Sequence, residues 1–524
     1  MEKTASSKRN MYIAIVAVAI IAVGAVAYMF WPKPQAARVL TILIGTEWVN
    51  IDPSESYQNE QELLANVYET LVRYNPPGSA TTLSPLLATN WTSSDNGLTW
   101  TFQLRQNVKF HDGTVFNATA VKLSIERGIN LKAGPAYIWD PVQQIIILDA
   151  YTIQFKLKYL VPFPVITSSL YGAWIISPKA INQSDIWFNA GNEAGTGPYM
   201  IANYTKGENA ILQRFVDYWG SWSGWHFDTV LFKVVRDTAT SEQMLVAGDA
   251  QIGNVATERL AALSTNTALN ISRDPSYINL LVYLNTQRPP LNNALVRQAM
   301  AYAFPYKDVV DTIYKGTAVQ AVGAIPHGMF GHFDDLYKYS FNLTKAKELL
   351  TQAGYPNGGF KVVATYTQGS TTWQSLYELY QSNLAQLNIT MEIKAMTASA
   401  KYAMARGDPT TAQDITILMW WPTYVTPYDF LFNLFHTESK PIYNLGYWYN
   451  STYDQLIDSA FEVESTNPTL ALQNYRKAQE ILIQEMPAIV PIDQQHVSVM
   501  RKEIKGWVYN PAYTNTIFIY DLYM

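Results

Sequence analysis

The sequence predicts an α/β protein with more than one lobe, and three observations indicate this class. Segments that alternate like strands and segments with helical periodicity follow one another along the chain. The 524 residues are too many for a single compact core. Hydrophobic residues make up 48% of the chain and aromatic residues 13%, which excludes disordered, collagen-like and coiled-coil classes.

Each element of the N-terminal half has a local signal. Alternating or continuous apolar residues indicate strands, and leucine and valine three or four positions apart indicate a helix. An asparagine before a helical segment predicts an N-cap, and a glycine after one predicts its end. We predict strands over 39–45, 100–104 and 108–110, and helices over 60–73, 117–127 (ended by Gly128), 294–303 and 306–314.

The C-terminal half repeats this mixture of elements, without an internal repeat or a charge block. The same signals predict helices over 344–353, 372–386, 452–463 and 469–485, and strands over 360–366, 389–396, 415–419, 489–492 and 496–500.

Charge and cysteine content exclude several functions. Lys and Arg number 37 against 42 Asp and Glu, so the net charge is −5 and no basic field exists for nucleic acid. Cysteine is absent, which removes disulfides, thiolate zinc sites, thiol nucleophiles and a lipid attached through cysteine.

Residues 11–31 form an uncharged apolar run that would span about 32 Å as a helix, close to the thickness of a bilayer core. Lys8 and Arg9 precede this run, so residues 1–10 are expected in the cytoplasm and the rest of the chain outside. We expect a single-pass membrane anchor. The alternative is a cleaved signal peptide, whose apolar region usually has about 7–15 residues.

Glycosylation sequons also fit an extracytoplasmic location and predict a glycoprotein. They begin at Asn90, Asn117, Asn182, Asn203, Asn270, Asn342, Asn388 and Asn450.

Motifs for catalysis are missing from the sequence. No nucleophile elbow, phosphate-binding loop or H-E-x-x-H motif occurs, so we expect neither an enzyme nor a cofactor. His327 and His332 are five residues apart across two glycines, and a zinc site is not expected there. A secreted hydrolase is the competing class. Its carboxylate pair would be sought among Asp334, Asp335, Asp429 and Glu438.

Several stretches, taken in order, resemble family 5 of the extracellular solute-binding proteins of ABC importers, the oligopeptide- and dipeptide-binding group. The resemblance covers roughly residues 39–510. It is carried by LSPLLATNW at 83–91, DNGLTWTFQLR at 95–105, VKFHDGT at 108–114, NATAVKLSIER at 117–127, GTGPY at 195–199, YLNT at 283–286, VRQAMAYA at 296–303, KAKELL at 345–350 and YRKAQEIL at 475–482.

The resemblance implies a two-lobed periplasmic-binding-protein fold of type II with an extra family-specific domain. One lobe would combine residues 38–72, 197–284 and 485–524, the extra domain would be 73–196, and the second lobe 285–484. Ligand would bind between closing lobes, and a membrane permease would receive it. The resemblance implies a monomeric receptor without metal or cofactor.

One departure from the family pattern bears on the ligand. In the segment Trp420-Trp-Pro-Thr-Tyr424, Thr423 replaces the acid that pairs with the α-ammonium of a peptide in peptide-binding members. An oligopeptide would then need another acid, such as Asp429, because a buried ammonium without a carboxylate is costly. Without such an acid, an oligosaccharide stacked on aromatic rings is the alternative ligand.

The candidate ligand-binding residues have different origins. Trp420, Thr423 and Tyr424 follow from the matching segment, and Tyr57 lies in the loop after the first strand. Tyr283 and Asn285 lie where the chain is expected to cross between lobes, so a hinge contact is the alternative there. Trp373 and Trp421 are chosen for composition and loop position, with core packing as the alternative.

Overall fold

A computed structural model of the protein describes residues 38–524. The predicted membrane segment, 11–31, lies outside the described residues. Among residues 38–524, no helix is long and apolar enough to cross a bilayer.

The strands of the described part lie throughout its length, from β1 at its start to β18 near its end. In chain order they are β1 (Val39–Ile44), β2 (Val72–Tyr74), β3 (Leu83–Pro85), β4 (Ala88–Ser94), β5 (Thr99–Leu104), β6 (Val142–Asp149), β7 (Thr152–Leu157), β8 (Tyr199–Thr205), β9 (Asn209–Arg214), β10 (Thr229–Val234), β11 (Ile252–Gly253), β12 (Leu269–Leu284), β13 (Ala318–Gln320), β14 (Lys361–Thr367), β15 (Thr390–Met396), β16 (Ile415–Trp420), β17 (Ala488–Ile489) and β18 (Ile492–Arg501).

Helices alternate with these strands. They are α1 (Gln61–Val67), α2 (Ala118–Leu131), α3 (Phe163–Ile166), α4 (Asp185–Asn189), α5 (Thr238–Ala247), α6 (Leu260–Leu263), α7 (Ala294–Tyr302), α8 (Tyr306–Asp308), α9 (Leu343–Gln352), α10 (Thr371–Ala385), α11 (Ala398–Ala405), α12 (Pro427–Phe435), α13 (Ser451–Val463) and α14 (Pro468–Glu485). Shorter 3₁₀ and π turns lie at Asp95–Gly97, Ala136–Trp139, Thr257–Arg259, Val309–Ile313 and Ile519–Asp521.

One large sheet connects most of the described chain. Its strand order is β15-β14-β16-β12-β18-β11-β1-β10-β9-β8, with β13 and β17 attached to β18 and β12. Parallel pairs such as β1–β10 and β14–β15 occur beside antiparallel pairs such as β12–β18. The predicted α/β class is confirmed, since parallel pairs need the helical crossovers that the chain supplies.

A second sheet, with the order β4-β5-β7-β6, is antiparallel and has its own core. Phe102 and Phe155 of this sheet belong to one buried cluster with Val121 and Ile125 of α2. Both the sheet and α2 lie inside residues 73–196, the segment expected to form the additional domain.

Three predicted elements differ from those in the structure. The first helix stops at Val67 instead of continuing to 73, because Tyr68 is extended and Gly195 packs on the end of the helix. A Cβ at Gly195 would lie 1.9 Å from the Val67 carbonyl oxygen. Helix α2 passes Gly128 and ends where Lys132 adopts a left-handed conformation. Residues 108–110 contribute only an isolated bridge, from Lys109 to Val115.

The predicted cap at Asn117 is present, and we expect an Asn117→Ala variant to be destabilised by about 1 kcal/mol. The Asn117 side-chain oxygen accepts the backbone N–H groups of Thr119 and Ala120 at 3.0 and 3.2 Å. Urea unfolding measures the change. Asn90→Ala is the control, since it also removes a sequon but caps no helix. Equal losses in both variants would contradict the capping role.

Candidate functional site

A cavity of about 510 Å³ lies beside the end of β16 and is rich in aromatic side chains. The loop after β1, the first turn of α10, helix α11 and the end of β16 all contribute to its wall. Its lining residues are Tyr57, Gln58, Asn59, Trp373, Tyr402, Arg406, Leu418, Met419, Trp420, Trp421 and Tyr443. Large aromatic walls with a few polar groups are typical of cavities that take small organic molecules.

Two adjacent tryptophans lie at the end of β16 and just after it, and they have different environments. Trp420 is buried, packs edge-on against Tyr443 and donates its indole N–H to Asp429 Oδ2 at 3.1 Å. Trp421 is 36% exposed and lies in the loop before Pro422. Trp420 is therefore a fixed wall of the cavity, and Trp421 offers free ring surface.

Three hydroxyl groups from distant parts of the chain meet at one side of the cavity. Thr423 Oγ1 lies 2.9 Å from the Tyr57 hydroxyl and 2.7 Å from the Tyr137 hydroxyl, and the two tyrosine hydroxyls are 2.9 Å apart. Burial is the main cause that raises the pKa of both tyrosines. Thr423 thus fixes the position of Tyr57, which in turn lines the cavity.

The cavity wall carries positive charge. Arg406 lines it, with its guanidinium carbon 5.1 Å from the Tyr443 ring and its Nε donating to the Ile442 carbonyl at 2.8 Å. Lys401 lies behind Tyr402, 4.5 Å from that ring, and burial lowers its pKa to about 8. None of the lining residues carries a carboxylate. This wall favours a neutral ligand or one with an anionic group.

Asp429 is the carboxyl group just behind this wall. It is fully buried, and its oxygens accept the Trp420 indole N–H, the Thr423 backbone N–H at 3.3 Å and the Asn433 amide at 3.1 Å. Burial raises its pKa to about 7, while these hydrogen bonds oppose the increase. Asp429 does not line the cavity. Its carboxyl group therefore cannot contact a ligand there in place of the acid that is missing at Thr423.

Comparison with known proteins identifies the family. Residues 82–441 match the model of the bacterial extracellular solute-binding proteins, family 5. The chain belongs to this family. The predicted resemblance is confirmed.

Relatives of this solute-binding protein cover nearly the whole chain. The probable D,D-dipeptide-binding periplasmic protein DdpA of Escherichia coli (strain K12) is 30% identical over 473 residues, 88% of this chain and 89% of that protein. The glutathione-binding protein GsiB of Salmonella typhi is 28% identical over 488 residues, with 90% and 92% covered.

A solved structure matches the fold of the protein. The ABC transporter-associated periplasmic binding protein DppA from Helicobacter pylori, in complex with the peptide STSA, aligns with a TM-score of 0.78 and 26% identity. The alignment covers 93% of this chain and 98% of that one. The predicted periplasmic-binding-protein fold is confirmed.

The solute-binding protein brings some of the predicted site residues together and separates others. Tyr57, Trp373, Trp420 and Trp421 line the same cavity. Thr423 lies directly behind Tyr57, whereas Tyr424 lines a different cavity of about 350 Å³.

Tyr283 and Asn285 are buried away from both cavities. The Tyr283 hydroxyl donates to the Leu434 carbonyl at 3.3 Å, and the Asn285 amide donates to the carbonyls of Pro409 and Gln413 at 2.8 and 3.1 Å. Both side chains therefore donate their hydrogen bonds to main-chain carbonyl groups of neighbouring segments.

Seven lining residues were not predicted, namely Gln58, Asn59, Tyr402, Arg406, Leu418, Met419 and Tyr443, and neither was Tyr137 behind the wall. Arg406 has a weak signal in the sequence, because it is an arginine nine residues before the predicted strand 415–419 that leads to the two tryptophans. Tyr137, Tyr402 and Tyr443 have no local signal among the 35 tyrosines of the chain.

Proposed function

We propose that this protein is the solute receptor of an ABC importer, that it binds oligopeptides in the aromatic cavity, and that it delivers them to a membrane permease. The observation that carries the proposal is the cavity itself, where Trp373, Trp420 and Trp421 face Tyr57 with Arg406 beside them. The names of the relatives, which include dipeptide- and glutathione-binding proteins, support the ligand class. The ligand leaves chemically unchanged, and the receptor acts as a monomer.

The proposed lobes meet at this cavity. Tyr57, Gln58 and Asn59 belong to the first segment of lobe I, and the other lining residues belong to lobe II, 285–484. The proposed extra domain, 73–196, reaches the same point through Tyr137, which is hydrogen-bonded to Tyr57 and Thr423. Closure of the lobes would therefore enclose a ligand between aromatic walls.

The charge distribution supports one orientation of a bound peptide. Its C-terminal carboxylate would lie against Arg406, which can pair with both carboxylate oxygens. Its main chain would pass Tyr57 and Asn59, which offer hydroxyl and amide groups. No carboxylate lines the cavity wall to pair with the α-ammonium group of a peptide. We therefore expect tighter binding of peptides whose α-ammonium stays in contact with water or is chemically blocked.

An oligosaccharide is a second candidate ligand, favoured by a specific observation. The wall combines exposed Trp421 with Trp373 and lacks a carboxylate, and flat ring surfaces of this kind stack on sugar rings. In that case Arg406 and Asn59 would bind sugar hydroxyls.

We propose that the binding domain works outside the cytoplasmic membrane, held by residues 11–31 as a single-pass anchor and carrying glycans. The eight sequon asparagines support the presence of glycans, because none of them is buried in the structure. Partition of the protein with membranes and the masses of its tryptic glycopeptides test both statements.

The experiment that tests the function is a thermal-shift panel on the purified protein. Tri- to hexapeptides, the same peptides with an amidated C-terminus, and gluco-, xylo- and malto-oligosaccharides are compared. A ligand at a hundred times its Kd stabilises the folded state by about 2.7 kcal/mol. We expect shifts with free-acid peptides and smaller ones with the amides. Shifts with sugars alone would replace the peptide proposal, and recovery of hydrolysed ligand would contradict the receptor role.

A further inference from the structure

A cluster of possible metal ligands lies in the loop between β13 and α9, outside the aromatic cavity. It consists of His327, His332 and Asp334, whose nearest ligand atoms all lie within 4.8 Å of one another. The Asp334 Oδ1 atom is 3.1 Å from His332 Nε2 and 3.9 Å from His327 Nε2. The side chains of these three residues therefore lie close together. Their spacing in the sequence does not match a helical zinc motif.

The opposite nitrogen of each histidine is already held by an acceptor. His332 Nδ1 lies 2.8 Å from the Ile325 carbonyl oxygen, which can only accept, so Nδ1 carries the proton. His327 Nδ1 lies 2.5 Å from Asp493 Oδ2 on β18, and that carboxylate also accepts the His327 backbone N–H at 3.1 Å. A metal ion at His332 Nε2 would take the place of the proton that Nε2 donates to Asp334 Oδ1 at 3.1 Å, and each Nδ1 would keep its acceptor.

This arrangement matches the environment of metal-bound histidines. Such a histidine usually donates its other ring N–H to a carboxylate or a backbone carbonyl, which fixes the tautomer and the ring orientation. In a tetrahedral zinc site with ligand distances of about 2.0–2.2 Å, ligand atoms lie about 3.3–3.6 Å apart. The Asp334 oxygen lies 3.1 and 3.9 Å from the two Nε2 atoms, and the three ligand atoms all lie within 4.8 Å of one another, so side-chain rotations would be needed to close the site around an ion.

We propose that His327 Nε2, His332 Nε2 and a carboxylate oxygen of Asp334 bind a divalent transition-metal ion, with Zn²⁺ as the best fit. Two imidazoles and one carboxylate are ligands that zinc prefers. The Asp334 side chain is 86% exposed, so a water molecule could occupy the fourth coordination position of the ion. The ion would join the loop to β18 through the His327–Asp493 contact, and it would not touch a solute in the aromatic cavity.

The test is calorimetric titration of the metal-free full-length protein with zinc chloride. We expect one ion per chain, and at least a hundredfold weaker binding by Asp334→Ala. Asp335→Ala is a matched control, because Asp335 is the adjacent acid and pairs with Arg476 through both oxygens at 2.9 Å. Asp334 is exposed, so its removal leaves the packing of the chain intact.

Two further variants distinguish a residue that binds the metal ion from a residue that only orients a metal ligand. His332→Ala should lose the ion as Asp334→Ala does, and Asp493→Asn should weaken binding about 10- to 100-fold, as is typical for a residue that orients a ligand. The absorption spectrum of bound Co²⁺ reports tetrahedral coordination. The proposal is overturned if the wild-type protein takes up no zinc at micromolar concentration, or if Asp334→Ala binds zinc as tightly as Asp335→Ala does.

Discussion

A Trp421→Ala variant should bind the solute at least about thirtyfold more weakly than the wild-type protein, a loss of about 2 kcal/mol or more. Trp421 is 36% exposed on the wall of the aromatic cavity, so a bound ligand would cover most of its remaining ring surface. Aromatic anchors that become fully desolvated carry much of the binding energy at such sites. Calorimetric titration with the ligand that gives the largest thermal shift measures the loss.

The matched control is Trp225→Ala. Trp225 is 42% exposed and stacks on His226 at a centroid distance of 3.9 Å, and it does not line the cavity. Both variants replace a partly exposed tryptophan by alanine. The two substitutions should therefore change the free energy of unfolding by similar amounts. If Trp225→Ala weakened binding as much as Trp421→Ala, or if neither variant did, the aromatic cavity would not be the solute site.

The fold was predicted well for two reasons. Caps and hydrophobic periodicity depend only on neighbouring residues, and the family resemblance extends over most of the chain. The cap at Asn117 and the strand that ends at Trp420 depend on neighbouring residues, and both were correct within a few positions. The error at Val67 came from a contact that is distant in sequence, since Gly195 lies against the end of that helix. Local periodicity contains no information about such contacts.

The site was predictable only in part, for the same reason. Tyr57 and Trp421 were chosen from loop position and composition, and the fold brings them to one cavity. Thr423 was identified as a departure from the family pattern, but its partner Tyr137 comes from a segment 286 residues away in the chain.

The histidine cluster shows the limit of spacing arguments. His327 and His332 are five residues apart, which excludes a helical motif, yet they lie in a turn where Gly328 and Gly331 both have left-handed backbone conformations. The turn brings the two rings to a centroid distance of 4.3 Å.

Buried carboxyl groups lead to a second large expected effect, a loss of stability as the pH rises. Glu69, Asp429 and Glu464 accept hydrogen bonds from neutral tryptophan, tyrosine, threonine or amide donors. Burial is the main cause that raises the pKa of each carboxyl to about 7. Each is therefore protonated in the folded protein at a pH where the unfolded chain has already released the proton.

The sign of the effect follows from proton linkage. Between about pH 4.5 and pH 7 the folded state binds more protons at these carboxyls than the unfolded state, so the free energy of unfolding falls as the pH rises. One pKa unit corresponds to about 1.4 kcal/mol, so each carboxyl contributes up to about 3 kcal/mol across this interval. Urea unfolding at pH 5 and pH 8 should therefore show a more stable protein at pH 5.

Glu69→Gln isolates one contribution to this pH dependence. The amide keeps the shape of the side chain and can still accept from Trp219 and Thr196, but it cannot ionise. The variant should lose less stability between pH 5 and pH 8 than the wild-type protein does. Glu208→Gln removes an exposed carboxyl in the same way and is the matched control. A wild-type protein that becomes more stable from pH 5 to pH 8 would mean that these carboxyls ionise in the folded state as readily as in the unfolded chain.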